Sequence, residues 1–343
     1  MNFKQHGCYF SEFLNPRKCA ALRDFFEFGL LPEISGIYRE DYLEHMDMPK
    51  EEKSIDAVFL SHAHADHAQY IHFLRWDIPI YCTEPTQLIL KSVQETGNSS
   101  FSGLIDACET FRYYINSKNT KSRIDRKKKE YIHERDFHIM EPYTRFKVGS
   151  MEIEMVPVDH SLPGACGFIV YTDEGNIVYT GDIRFHGSNG HLSHEFVSKA
   201  KKASPRWLLC EGTRIDSEIQ DGEKAVCQQI NEYIKKTQGL VFVEHPIRDI
   251  DRVNSIYQAA LENGRKFAVP MKLAHLIETL GVHCPFSLDD VKILIHRKNW
   301  GLITKKDTES RLISQDYANW ERGFLEKDNW ISLDDVNKQL KST

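Results

Sequence analysis

The stretch Ser61-His62-Ala63-His64-Ala65-Asp66-His67 constrains this chain more than any other. Four candidate metal ligands, His62, His64, Asp66 and His67, are packed into it. They follow the apolar run Ala57-Val58-Phe59-Leu60, which reads as a short buried strand. They precede Ala68-Gln69-Tyr70-Ile71-His72-Phe73-Leu74, which reads as a helix. Beyond a strand end, two histidines two residues apart project to the same side. One turn later Asp66 and His67 open the helix and face a second point nearby. Nitrogen and carboxylate donors without thiolates suit zinc, with manganese or iron as alternatives. A polar loop that is histidine-rich by chance is the competing explanation, and the dense packing of the donor set argues against it.

The pattern His62-x-His64-x-Asp66-His67 resembles the signature of the metallo-β-lactamase superfamily. By itself it does not choose a substrate, because hydrolases of lactams, thioesters, lactones and nucleic acids share it. The rest of the chain has to choose.

With 343 residues the chain has room for one large or two medium domains with a sizeable core. It contains no run of eighteen apolar residues, so a membrane partner is not expected, and its N-terminus carries no signal-peptide core. The eight cysteines, Cys8, Cys19, Cys82, Cys108, Cys166, Cys210, Cys227 and Cys284, include no C-x-x-C pair. Buried free thiols in a reducing cytosol are the simplest account, most clearly for Cys210 in its apolar run. A net charge of −6 argues against wholesale nucleic-acid binding but leaves room for a local positive groove.

Along the chain, Met1 to Pro16 reads as a loop, and Arg23 to Pro32 as a short helix with a glycine exit and a proline stop. This part resembles the segment that follows the opening strands in one branch of the superfamily, so those first strands are expected to be missing. Ile78 to Cys82 reads as a strand, Pro85 to Glu95 as a helix, and Gly97 to about Asn119 has little pattern. Ser117 to Glu130 carries Lys118, Lys121, Arg123, Arg126, Lys127, Lys128 and Lys129. A solvated helix or loop is favoured there over a polyphosphate-binding patch, because no aromatic residue is interleaved to stack bases. Phe146 to Pro157 alternates across a glycine turn as a hairpin. Phe168 to Tyr171 and Ile177 to Thr180 form a second hairpin, and Trp207 to Cys210 a further strand. Then the period changes: helix from Ala225 to Lys235, strand from Leu240 to Glu244, helix from Asp251 to Asn263, strand from Lys266 to Val269. Helices alternating with strands suggest a parallel α/β unit and a domain change near residue 215.

The resemblance supplies the rest of the metal set. His160 and Asp182 each follow a strand, where a sheet delivers single polar side chains to one rim. His62, His64 and His160 would hold one cation; Asp66, His67 and a shared Asp182 the other. Two zinc ions are implied, with manganese as the alternative, and Asp66 would also orient the nucleophile. Two dications bring bound water near neutral acidity and clamp both oxygens of an in-line displacement at phosphorus. The superfamily usually adds a late histidine; His275, His283 and His296 follow no strand-end pattern and read as surface or packing residues.

Glu211, which ends the Trp207–Cys210 strand and precedes an inserted α/β region, resembles the first motif of the β-CASP nucleases. His160-Ser161-Leu162-Pro163-Gly164, Gly181-Asp182-Ile183-Arg184 and Glu211-Gly212-Thr213-Arg214 most resemble prokaryotic RNase J-like proteins. The resemblance covers about residues 8 to 275. It implies an α/β chain: a metallo-β-lactamase αββα sandwich over residues 1–215, then an incomplete β-CASP domain over residues 216–343. It implies a cytoplasmic metal-dependent phosphodiesterase acting on RNA, with single-stranded DNA as the alternative substrate, a homodimer as an admissible assembly, and Asp66 and Glu211 in catalytic roles. The sequence has no Ser-Gly-His to supply the histidine that pairs with Glu211 in that group. Arg184, Arg214 and Arg248 are candidate phosphate contacts. Two other readings stay open: a small-ester, thioester or lactone hydrolase with the same metals, and a truncated, catalytically weak chain that binds RNA or a partner.

Overall fold

The computed structural model describes residues 16–99, 101–124, 129–213, 222–298 and 315–341. Contact density divides the chain into two compact units, one of residues 1–155 and 170–174, the other of residues 156–169 and 175–343. The expected loop of Met1 to Pro16 lies almost wholly outside the described residues, as does Arg214. No described helix is long and apolar enough to cross a membrane.

The first unit begins with two short helices, α1 (Arg23–Glu27) and α2 (Glu40–His45). Gly29 takes φ +62 just after α1, a conformation glycine adopts without steric cost, and so ends it. Strand β1 (Val58–Phe59) leads through the histidine loop into α3 (Ala65–Ala68), which tightens into a 3-10 turn over Gln69–Phe73 instead of continuing as the expected α-helix. Strand β2 (Ile80–Cys82) follows, then α4 (Glu84–Thr96), capped by Thr83, whose hydroxyl accepts from the Thr86 amide at 3.4 Å. Leu22, Phe25, Tyr42, Leu43, Phe73 and Phe111 form one buried cluster, with the Phe25 and Phe73 rings 4.6 Å apart.

The region from Gly97 onward is more ordered than its sequence suggests. It holds β3 (Asp106–Cys108), β4 (Arg112–Ile115), β5 (Lys121–Ile124), β6 (Ile132–Glu134) and β7 (Phe137–Ile139). Strands β3 and β6 pair antiparallel, as do β4 and β5, so the basic run opens in a hairpin turn and continues as a strand, not as a helix. Residues 125–128 of that run lie outside those described. Strands β1, β2 and β7 form a parallel sheet, with β2 central. The hairpin of β8 (Arg145–Val148) and β9 (Met151–Pro157) is as expected, with Gly149 at φ +58 in its turn.

The second unit contains most of β10 (Cys166–Tyr171), then β11 (Ile177–Tyr179), α5 (Gly190–Lys202) and β12 (Trp207–Leu209). Strands β10, β11 and β12 are successive neighbours, with β12 at the edge and parallel to β11. That edge position corrects one expectation: Cys210 is exposed, and Leu208 is 62% exposed. The apolar run forms a strand, but one that no layer covers among the described residues.

Helices α6 (Glu223–Lys236) and α7 (Ile250–Glu262) pack together, joined by a bidentate Arg252–Glu223 pair with Nε–Oε1 at 2.8 Å. The segment expected as a strand at Leu240 to Glu244 makes no ladder among the described residues, and Phe242 is 85% exposed. Then β13 (Ala268–Pro270), α8 (Met271–Leu280), β14 (Lys292–Ile295), α9 (Asn319–Leu325), β15 (Trp330–Ser332) and α10 (Leu333–Lys341) alternate. Strands β13, β14 and β15 form an all-parallel sheet, so the α/β alternation continues past Met271. Val269 and Ile293 are fully buried at its centre.

Candidate metal centre

Within the first unit, β1 is pinned beside β2 by the Leu60 amide, which donates to Tyr81 O at 2.9 Å. The chain therefore leaves the carboxyl end of a parallel strand with its direction fixed, and His62 is fully buried there. His62 Nε2 and His64 Nδ1 lie 3.1 Å apart. Two nitrogens bound to one tetrahedral zinc at ~2.05 Å each would stand about 3.3 Å apart, so this spacing fits a shared cation. Ser61 Oγ lies 3.1 Å from His62 Nδ1, a contact that fixes the ring and leaves Nε2 for the metal.

The next turn brings in the remaining donors. The His67 ring lies tilted against that of His62, their centres 4.1 Å apart, and its Nε2 lies 3.8 Å from Asp66 Oδ2. His64 is the N-cap of α3, so Asp66 lies in the first helical turn, where the helix dipole favours a carboxylate. The far end of this helical run is anchored by buried arginines. Arg135 donates to Leu74 O at 3.0 Å and His72 O at 3.3 Å, and Arg39 donates to Cys108 O at 2.7 Å. His72 Nδ1 accepts from the Gly103 amide at 2.9 Å, which leaves its proton on Nε2, 2.6 Å from Tyr42 Oη. Burial first, then the Arg39 and Arg135 charges, hold the His72 pKa well below the usual histidine value, so it stays neutral. His72 is thus a packing histidine of this anchor.

In the second unit, His160 Nε2 and Asp182 Oδ2 lie 3.6 Å apart. Three interactions draw their two strand ends together. Asp159 and Arg184 form an isolated antiparallel bridge, with the Arg184 amide donating to Asp159 O at 3.0 Å. The Arg184 side chain reaches back, donating from Nη2 to His160 O at 3.0 Å. Glu211 Oε1 accepts from the Ile183 amide at 3.3 Å, and Oε2 from the Thr213 amide at 3.1 Å. Glu211 therefore sits against the turn that carries Asp182.

Arg184 is not a free phosphate contact. It faces the wholly buried Asp159 carboxylate, Nε to Oδ2 at 3.3 Å, and also pairs with Asp251 of α7. Burial pushes the Asp251 carboxyl up to about 6, although Arg184 pulls it the other way. Asp159 also accepts from the Gly187 amide at 2.8 Å. This clamp behind His160 escaped the sequence reading because its arginine and second carboxylate come from distant segments. Asp159, beside His160, was the one local signal. Of the late histidines, His275 is buried within 5.5 Å of the Trp320 ring centre and His296 is exposed, as a packing and a surface residue would be.

The β-lactamase superfamily domain matches residues 38–196. Ribonuclease J of Mycoplasma pneumoniae is 26% identical over 219 residues, covering 62% of this chain and 33% of its own length. Ribonuclease J of Mycobacterium tuberculosis is 27% identical over 221 residues, covering 62% and 33%. Ribonuclease J2 of Bacillus subtilis is 23% identical over 251 residues, covering 71% and 37%. The chain thus spans about a third of the length of these curated relatives. In fold, a crystal structure of a protein of unknown function from Enterococcus faecalis V583 superposes with a TM-score of 0.63 at 22% identity, over 95% of this chain and 66% of that one.

Residues 38–196 thus match a β-lactamase superfamily domain, in an α/β fold whose histidine–aspartate donors suit a divalent metal. The chain is similar to ribonucleases J over about two thirds of its length.

Proposed function

We propose that this chain is a phosphodiesterase of the β-CASP type acting on RNA. In this reading residues 1–215 form the metal-binding domain and residues 216–343 a partial β-CASP domain. His62, His64 and His160 would hold one divalent ion, and Asp66 and His67 the second, with Asp182 shared, zinc being the metal and manganese the alternative. The observation that carries the reading is that each half of this donor set is already gathered in its own unit. His62 and His64 nitrogens are 3.1 Å apart in one, and His160 and Asp182 donor atoms 3.6 Å apart in the other. Similarity to ribonucleases J supports RNA as the substrate.

When bound, a pair of dications supplies a water acidified to near neutrality and stabilises charge at phosphorus. The protein's part is to place groups. Asp66, part-exposed at the start of α3, accepts a proton from the attacking water and aligns it. The imidazoles of His62 and His64 are held by their strand end and by each other. Glu211 fixes the turn that carries Asp182 and offers a carboxylate toward the leaving oxygen. The Arg184 clamp holds His160 without spending its charge on the substrate.

The test is cleavage of labelled single-stranded RNA by the purified chain with zinc or manganese, beside a metal count. Expected are two bound metals and cleavage that Asp182→Ala abolishes. No cleavage of RNA, with activity unchanged in Asp182→Ala on any ester, would overturn it. Cleavage of thioesters but not RNA would instead favour a small-molecule hydrolase.

A further inference from the structure

Three successive carbonyls around His160 are each held by a donor from elsewhere in the second unit. Asp159 O accepts from the Arg184 amide at 3.0 Å, His160 O from Arg184 Nη2 at 3.0 Å, and Ser161 O from the Ile250 amide at 3.2 Å. The Asp159 amide donates to Ser193 Oγ at 2.9 Å, and that hydroxyl donates to Arg184 O at 2.6 Å. Ser193 is fully buried, so α5 ties the two segments together away from water. Ile250 is the first residue of α7, where an amide has no partner four residues back; it is shared between Ser161 O and Arg248 O, the latter at 3.0 Å.

The Arg184 guanidinium is placed by competing charges. Its Nη2 carries two hydrogens and faces three acceptors: His160 O, Asp159 Oδ1 at 3.3 Å, and Asp251 Oδ2 in the first turn of α7. Its Nε lies 3.3 Å from Asp159 Oδ2, so Asp159 alone would draw the group into a two-pronged pair and away from the backbone. Asp251 competes for the same nitrogen. The side chains of Arg184 and Asp251 are 16% and 19% exposed, so solvent screens their attraction little. Helix α7 is itself fixed: Asp249 caps it by accepting from the Arg252 amide at 3.1 Å, Arg252 pairs with Glu223 of α6, and Val253 and Ile256 are buried.

We propose that Asp251 is a positioning residue for the metal centre: through Arg184 it holds the His160 backbone, and with the Ile250 amide it makes α7 the seat of that ligand. This rests on the reading of His160 as a metal ligand. The matched domain ends at residue 196, so the seat draws on an element outside it. A ligand whose peptide groups are already fixed loses less freedom when a cation binds. Asparagine at 251 keeps the size and removes the charge; Arg184 then settles on Asp159, and His160 O loses its donor.

The experiment titrates zinc into the metal-free full chain against a chromophoric chelator at pH 7.5, where Asp251 is ionised. Asp251→Asn is expected to weaken one of two zinc ions about 10–100-fold, the range for a group that orients a ligand without touching the metal. Asp251→Glu, which restores the charge, should recover most of that loss. Arg252→Met breaks the pair to α6 without touching Arg184; it should lower stability in urea and leave both zinc affinities unchanged. If wild type holds two zinc ions and Asp251→Asn holds them as tightly, this inference falls and the metal centre stands. Equal weakening in Asp251→Asn and Arg252→Met overturns the positioning role, because loss of stability then accounts for both. If wild type binds no zinc, the reading of His160 as a ligand falls and takes this inference with it. Should a variant fail to fold, the wild-type chain decides: zinc should slow hydrogen exchange at the Ile250 amide, and an unchanged rate overturns the seat.

Discussion

The anchor beneath the histidine loop gives a sharp prediction for Asp41→Asn. Asp41 Oδ1 accepts from Arg39 Nε at 2.9 Å, and Oδ2 accepts from Arg39 Nη2 at 2.8 Å and the Thr110 amide at 2.7 Å. The Arg39 side chain is wholly inaccessible and that of Asp41 nearly so. Arg135 stands close enough that burial, and then the Arg39 charge, push it down to about 9, with Asp41 opposing. Asparagine keeps one acceptor oxygen, turns an amide donor toward a donor, and leaves two guanidiniums in a dry site without an anion. Hydrogen bonds to charged groups contribute roughly 1.5–3 kcal/mol each. Removing one partner of a buried pair costs about 3–5 kcal/mol. We expect a loss of about 3–5 kcal/mol, a large part of the roughly 5–15 kcal/mol typical of a domain. Urea unfolding of Asp41→Asn, Arg39→Met and an Arg39→Met/Asp41→Leu double variant measures it. The double variant should be more stable than the sum of single losses by at least about 2 kcal/mol. An Asp41→Asn protein within about 0.5 kcal/mol of wild type, or strictly additive losses, would refute the idea that this ion cluster holds the helical run behind Asp66 and His67.

Asp251 gives a pH dependence. Its pKa is raised from 3.8 to about 6 by burial, so the folded state binds the extra proton between those values. Stability from this group is therefore fullest below pH 4 and falls by about 3 kcal/mol as pH rises through 6. Unfolding free energies at pH 4.5 and 7 should show that slope in wild type and lose it in Asp251→Asn. Gly167→Ala would set a Cβ 2.5 Å from a Phe196 ring carbon and 2.8 Å from Tyr179 O, and should cost about 1–3 kcal/mol of stability in urea. His62→Ala should lower the metal count measured after dialysis against limiting zinc, whereas the packing variant His72→Gln should leave that count unchanged. Leu208→Lys on the uncovered edge strand should change stability by no more than about 0.5 kcal/mol and reduce light scattering on concentration.

The parts of this chain legible in its sequence are those whose chemistry is local. His62, His64, Asp66 and His67 announce themselves because four donors in one loop have few other uses, and the β8–β9 hairpin because alternation across Gly149 is a short-range signal. The strands β3 to β7 were not legible in the same way. Each is three or four residues long, and β3, β6 and β7 are held by ladders to distant segments, as Asp106–Cys108 is by Ile132–Glu134. Lys121 to Ile124 looked like a solvated run because charge hides a strand whose partner, Arg112 to Ile115, carries the apolar and aromatic side chains. Cys210 misled in the opposite sense: an apolar run predicts a strand, but burial depends on what lies over it. The Arg184 clamp depends on Asp251, 67 residues away, and no local pattern could have joined them.

The exposure of Cys210 turns that misreading into an opportunity for labelling. Cys19 and Cys210 are open to solvent, whereas Cys82, Cys166 and Cys284 are buried, and burial pushes the Cys82 thiol up to about 12. A thiol-reactive dye will therefore sort these sulfurs by rate. In a Cys19→Ser background the fast-reacting thiol among the described residues stands immediately before Glu211, so a fluorophore there would report from beside the turn that carries Asp182.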